Sequence, residues 1–207
     1  MSRFRLSHLA APALLLLTGL GLSGCLATAS TGVAVGGSAA MQDRGIKGAA
    51  NDTAIRAEIN HYWLDKDHKM WMGLNLQVYE GRVLVSGTVP NADERADAIQ
   101  LAWKAKGVKE VIDEVEVTSQ GGVVDYSRDT VIQTRINGEL LFAKGVESVN
   151  YSVEVVNGVV YILGVAQNQG ELDKVLEICR NMANVKKVVS HVIMKDDPKR
   201  FRSASAT

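Results

Sequence analysis

The sequence predicts an α+β protein made of two tandem α-β-β-α-β units, each a small three-stranded mixed sheet with two helices on one face. Three observations predict it. The stretch "LQVYEGRVLVSGTV" at residues 76–89 returns as "VEVVNGVVYILGVA" at residues 153–166. Gly81 then matches Gly158 and Gly87 matches Gly164, both 77 positions on, and residues 52–117 slide onto 129–194 without an insertion. Within each copy, two-residue alternation is flanked by apolar residues at helical spacing. The organisation expected is a leader at 1–24, a tether at 25–50, the first unit at 51–118, a linker at 119–128, the second unit at 129–195 and an unpacked tail at 196–207.

The elements follow in chain order. Asp52-Thr53 and Asp129-Thr130 stand where each unit begins, and Asp there reads as an N-cap. Ile55 and Ile59, echoed by Ile132 and Ile136, mark one buried helix face. Leu76 and Val78, then Val83 and Val85, alternate as a hairpin around Glu80-Gly81; the second copy has Asn157-Gly158, the pair favoured in a type I′ turn. Gly87 and Gly164 mark the end of the second strand. Asn91-x-x-Glu94 and Asn168-x-x-Glu171 resemble capping boxes opening a second helix. Gly107 and Asn184 fall at matched positions past that helix, where a left-handed residue closes it. "VKEVIDEVEV" and "VKKVVSHVIM" supply the third strand, reached by a helical crossover. The duplicated identities are thus caps, turns and core positions; none is a reactive pair.

The ends point to an envelope. Arg3 and Arg5 precede an apolar run and then Leu22-Ser23-Gly24-Cys25, which matches a bacterial lipobox; the run is too short and interrupted for a membrane span. The alternative is a plain secretory leader. Acylation of Cys25 would anchor the chain far more firmly than one acyl chain can, and Leu26, where aspartate would signal retention in the inner membrane, points to the outer membrane, facing the periplasm. The chain carries 23 Lys+Arg and 23 Asp+Glu. Loss of Arg3 and Arg5 with the leader makes the mature protein slightly acidic, which argues against nucleic acid as a partner. After Cys25 only Cys179 remains, so no disulfide framework is possible. Residues 26–50 are rich in Gly, Ala and Ser and read as a flexible tether.

The order of elements, the V-x-x-G-x-V-x-V-x-G phrase at 78–87 with its echo at 155–164, and "GVKEV" and "NVKKV" at 107–111 and 184–188 resemble the BON (bacterial OsmY and nodulation) domain. Two such domains behind a lipobox resemble the dual-BON outer-membrane lipoproteins. That resemblance implies binding of phospholipid, a part in envelope integrity, and no catalysis or cofactor. The other reading is a protein scaffold or accessory for envelope assembly machinery, with envelope proteins as partners.

The residues offer little to an enzyme. There is no HExxH, CxxC or GxSxG. His61, Asp65 and His68 have helical spacing for a metal, yet Lys66, Asp67 and Lys69 crowd the same stretch, which reads as a solvated helix end, so no metal is expected. Cys179 lies on an apolar helix face as a buried thiol. Trp63, Met70, Trp71 and Met72 are bulkier than a connection needs; they pack on the second unit or form an interfacial patch.

The candidate lipid surface is the first helix of the second unit. Ile132, Ile136 and Leu140 form its core stripe, matching Ile55, Ile59 and Trp63. A second stripe runs Val131, Arg135, Gly138, Phe142, with Leu141 on its border and Lys144 just beyond. Its counterparts, Ala54, Glu58, His61 and Asp65, are small or polar. Apolar groups at both ends of a cation suit a head-group region, with Arg135 and Lys144 meeting phosphate. The resemblance implies the same helix. Packing of this stripe against the first unit is the alternative.

Overall fold

The computed structural model describes residues 41–118 and 126–201. The leader, Cys25, most of the tether and residues 119–125 and 202–207 lie outside the described residues. Each unit is a three-stranded sheet carrying helices on one face. The first has α1 (Gly45–Lys66), α2 (His68–Gly73), β1 (Leu74–Tyr79), β2 (Arg82–Val89), α3 (Ala92–Lys104) and β3 (Glu110–Val117). The second has α4 (Tyr126–Phe142), a 3-10 turn (Ser148–Asn150), β4 (Tyr151–Val156), β5 (Val159–Ala166), α5 (Gln169–Asn181) and β6 (Lys187–Met194). The sheet orders are β1-β2-β3 and β4-β5-β6, with an antiparallel first pair and a parallel second pair in each. The repeat is kept in the pairing itself: Leu74 faces Gly87, and Tyr151 faces Gly164.

Both hairpins turn as the sequence predicts. Glu80 and Gly81 have φ of 55° and 77°, Asn157 and Gly158 of 53° and 79°, the paired positive values of a type I′ turn. The two aspartates do something other than the expected N-cap. Asp52 and Asp129 sit inside α1 and α4 and are 3% and 4% exposed. Asp52 accepts from the backbone N–H of Glu80 and Gly81, both at 2.8 Å. Asp129 accepts from Asn157 at 2.6 Å and Gly158 at 2.9 Å. A positive-φ turn aims two adjacent N–H groups at the helix, and one carboxylate answers both. The aspartate therefore recurs because it bolts the first helix to the hairpin.

The boundaries move accordingly. α1 begins at Gly45, inside the expected tether, and α4 takes in Tyr126, Ser127 and Arg128 from the expected linker. Asn91 and Asn168 do cap, accepting from Glu94 and Glu171 at 2.8 and 3.0 Å. Gly107 and Asn184 have φ of 98° and 68°. β3 and β6 are outer strands, and each has one N–H occupied by its own chain: Asp113 accepts from Val115, and Ser190 from Val192. That interrupts the donor row an exposed edge would offer.

Each unit has its own core. Val78, Val83 and Val85 meet Ile55 and Ile59 in the first, and Val153, Val160 and Ile162 meet Ile132 and Ile136 in the second. Trp63 and Met70 neither pack on the second unit nor join a surface patch. They complete the first unit's own core, and the Trp63 indole N–H donates to the Ala98 carbonyl at 3.0 Å. Trp71 and Met72 are exposed.

The sheet faces without helices close on each other. Tyr79 and Leu84 of the first unit pack with Val156, Tyr161, Leu163, Val165 and Ile193 of the second. Both flanking segments clasp this seam. Asn150 accepts from the Asp43 N–H at 2.8 Å, and Gln167 donates to the Asp43 carboxylate. The 196–201 stretch, expected to be unpacked, instead forms a 3-10 turn (Pro198–Phe201) whose Arg200 grips Glu80 with two hydrogen bonds of 2.6 and 2.9 Å. These attachments are polar, so apolar periodicity could not reveal them.

One half-buried acid, Glu154, sits in the seam. Burial pushes the Glu154 carboxyl above its ordinary 4.5; the Gln77 hydrogen bond and Arg56 oppose the shift, and Asp129 reinforces it. A carboxyl whose folded pKa exceeds its unfolded one contributes fully below the unfolded value and loses that contribution as pH rises through the folded one. Between pH 4.5 and neutrality the urea midpoint should therefore fall more steeply in the native protein than in Glu154→Gln. An equal or shallower native slope would contradict the assignment.

Candidate lipid-facing surface

α4 lies on the outside of the second sheet, and its two stripes separate as the repeat requires. Ile132, Ile136 and Leu140 are buried. Val131, Leu141 and Phe142 are 50%, 64% and 84% exposed. Packing of this stripe against the first unit is thus excluded. Arg135 and Lys144 are exposed, and Gly138 is half-buried with open space where a Cβ would stand. Among the described residues, Arg135 has neither an ion-pair nor a hydrogen-bond partner. It sits between two shallow clefts along the helix. One, of about 340 Å³, includes Arg128, Val131, Ala183 and Asn184; the other, of about 480 Å³, includes Gly138, Glu139, Phe142 and Ile178. Lys144 closes the surface at the end of the helix, where its carbonyl accepts from Lys174 Nζ at 2.8 Å.

Arg128, Glu139 and Ile178 were not anticipated. Ile178 belongs to α5, and no spacing within α4 announces a residue from another helix. Glu139 adds a negative charge at one cleft, so the surface is cationic at Arg135 and Lys144 rather than throughout.

The matched stripe of the first unit is chemically different. Glu58 accepts from the Tyr62 hydroxyl at 2.6 Å and the Lys106 N–H at 3.0 Å. These bonds hold the Glu58 carboxyl below its ordinary range, the Tyr62 bond most strongly. Asp65 and Asp67 stand where the second unit has Phe142 and Lys144.

The alternative chemistries find no support in the geometry. α1 ends at Lys66, and Asp67, in an extended conformation, starts α2. His68 therefore leaves the helical register of His61 and Asp65; its ring lies by Trp71, and that of His61 by Tyr62. No group of three or more His, Cys, Asp or Glu among the described residues is placed to hold a metal. The Cys179 thiol is buried and pushed up to about 12 by desolvation, far from the thiolate a nucleophile needs. No helix among the described residues is long and apolar enough to cross a membrane.

Two α-β-β-α-β units closed sheet to sheet, with one apolar-cationic helix facing out, define a duplicated α+β module. The BON domain model matches residues 51–119 and again 128–196, and the chain belongs to the BON-domain family. It is 37% identical over 146 residues to the "uncharacterized protein in gshII 5′ region" of Anaplasma centrale, covering 70% of this chain and 95% of that one. It is 30% identical over 185 residues to the outer membrane lipoprotein DolP of Haemophilus influenzae, covering 89% and 95%. It is 28% identical over 140 residues to osmotically-inducible protein Y of Escherichia coli, covering 67% and 70%. The DolP match supports an envelope location for this chain.

Proposed function

We propose that this protein is a non-enzymatic, lipid-anchored module that binds anionic phospholipid through α4 and so supports envelope integrity. Acylated Cys25 holds it at the outer membrane, on the periplasmic side. Val131, Leu141 and Phe142 enter the boundary between head groups and acyl chains, while Arg135 and Lys144 meet phosphate oxygens. Gly138 leaves the helix backbone open to close approach. The observation that carries this reading is the exposure of Val131 and Phe142 around a cation without a protein partner, where the repeat counterparts are Ala54, Asp65 and Glu58; Leu141, whose counterpart Leu64 is also exposed, only adds apolar area.

The test uses the soluble, unacylated protein and vesicles containing phosphatidylglycerol. Arg135→Glu changes the local charge by two; at about 1 kcal/mol per charge near an anionic surface, binding should weaken roughly 25-fold. Val131→Glu and Phe142→Glu should weaken it as well, and added salt should weaken native binding. All three side chains are exposed, so the melting temperature should stay within a degree or two of native, the usual scale for surface changes. Undiminished vesicle binding by the folded variants would overturn the proposal. Native protein that ignores vesicles but cross-links to one envelope protein through Phe142 would favour the scaffold reading.

A further inference from the structure

The seam between the units has a symmetry that the repeat makes visible. Gln77 donates to Glu154 at 3.1 Å, and His191 bonds Glu114 at 2.9 Å. In each pair the partners are 77 residues apart, which is the repeat period itself. Each residue thus meets its own counterpart. That happens only on a two-fold axis, where the surfaces are isologous and axial positions touch themselves. Away from the axis the matched positions contribute together, Tyr79 with Val156 and Leu84 with Tyr161.

An isologous surface ordinarily fits a second copy of itself. Here the axial residues forbid it. Two first units would set Glu114 against Glu114. Two second units would set Glu154 against Glu154 in a seam where the carboxyl is already half-buried. Each like pairing therefore fails at one axial position, and a different one in each case. The unlike pairing replaces both carboxylate pairs, one with an amide–carboxylate bond and the other with an imidazole–carboxylate bond. Like charges in contact are a means of rejecting a wrong partner, and an unpaired buried charge is costly.

We propose that the inner sheet faces form a heterotypic interface: each unit accepts an unlike unit and rejects a copy of itself, through the axial pairs Gln77–Glu154 and Glu114–His191. Its partner is the other half of the same chain. A second chain could enter only by offering its unlike half. The apolar residues supply adhesion, and the axial residues supply the choice.

The proposal is tested in the whole chain by restoring like pairs singly and then exchanging them. Gln77→Glu recreates the axial contact of two second units, and His191→Glu that of two first units. Gln77→Glu with Glu154→Gln, and Glu114→His with His191→Glu, restore unlike pairs in the opposite sense. Urea midpoints report stability, and solution X-ray scattering reports whether the units stay together. Each single variant should lose midpoint and gain radius while its helical circular dichroism is retained in dilute urea. Each exchanged double should recover at least half of both losses. Because the doubles carry one more change than the singles, recovery cannot come from general tolerance. Native-like midpoints and radii in both single variants, or doubles no better than the singles, overturn the proposal, even if every variant is less stable than native.

Discussion

Gly87→Val is expected to unfold the first unit. Gly87 has φ of 116°, and a Cβ built there would lie 2.3 Å from the Gly73 carbonyl oxygen and 3.0 Å from the Leu74 Cα. Backbone cannot yield as a side chain does, because Gly73 and Leu74 lead into the strand that pairs with Gly87. Strain at such a conformation costs about 1–3 kcal/mol, and forcing atoms into a packed site about 1–3 more. Against a domain stability of roughly 5–15 kcal/mol, a loss of about 2–6 kcal/mol removes a large share of the margin and exhausts it at the lower end. The urea midpoint should collapse, and near-ultraviolet signals from Trp63 should be lost at low denaturant. Gly164 has the same environment, with Asn150 oxygen at 2.2 Å from its virtual Cβ, so the second unit should respond alike. Gly138→Ala is the control. Its Cβ would meet nothing within 4 Å, and alanine in a helix gains about 1 kcal/mol over glycine. A native midpoint in Gly87→Val would mean that the strand does not run as described.

The second large effect is Asp129→Ala. It leaves the N–H groups of Asn157 and Gly158 without their acceptor, and the latter is buried. Each unsatisfied donor costs about 1–3 kcal/mol, so a total of about 2–6 kcal/mol is expected. Asp129→Asn keeps one good acceptor and should lose about half as much on the same principle. Hydrogen exchange at those two amides should accelerate more than at Val160 or Ile162. If instead the loss were about 1 kcal/mol and confined to fraying of α4, Asp129 would be the simple N-cap suggested by its place in the sequence.

That contrast shows what the sequence could reveal. The hairpins were legible because Glu80-Gly81 and Asn157-Gly158 are local statements about φ, and local geometry is written in adjacent residues. The second helices were legible through Asn91 and Asn168 for the same reason. The role of Asp52 and Asp129 was not, because the groups they serve lie on a hairpin far along the chain. The inner sheet faces were half legible. β5 is apolar at successive positions, as a strand buried on both sides should be. Gln77, Arg82 and Glu114 on the first sheet are polar or charged, so their alternation does not mark that face as a seam. The outer stripe of α4 was legible because the duplication supplies an internal reference: Ala54, Glu58 and Asp65 show what that stripe looks like without Val131, Arg135 and Phe142. Ile178 and Glu139 escaped, since a cleft between helices has no period.

The measurement that bears most directly on the central claim is residue-resolved NMR of the soluble protein titrated with anionic bicelles. Amide signals of residues 131–144 should shift or broaden first, led by those at Arg135, Leu141 and Phe142. The matched signals of residues 54–67 in the first unit should change little. Bicelles of zwitterionic lipid alone should produce weaker changes at the same positions. Perturbation centred on the first unit, on Trp71 and Met72, or on no surface at all, would contradict the account.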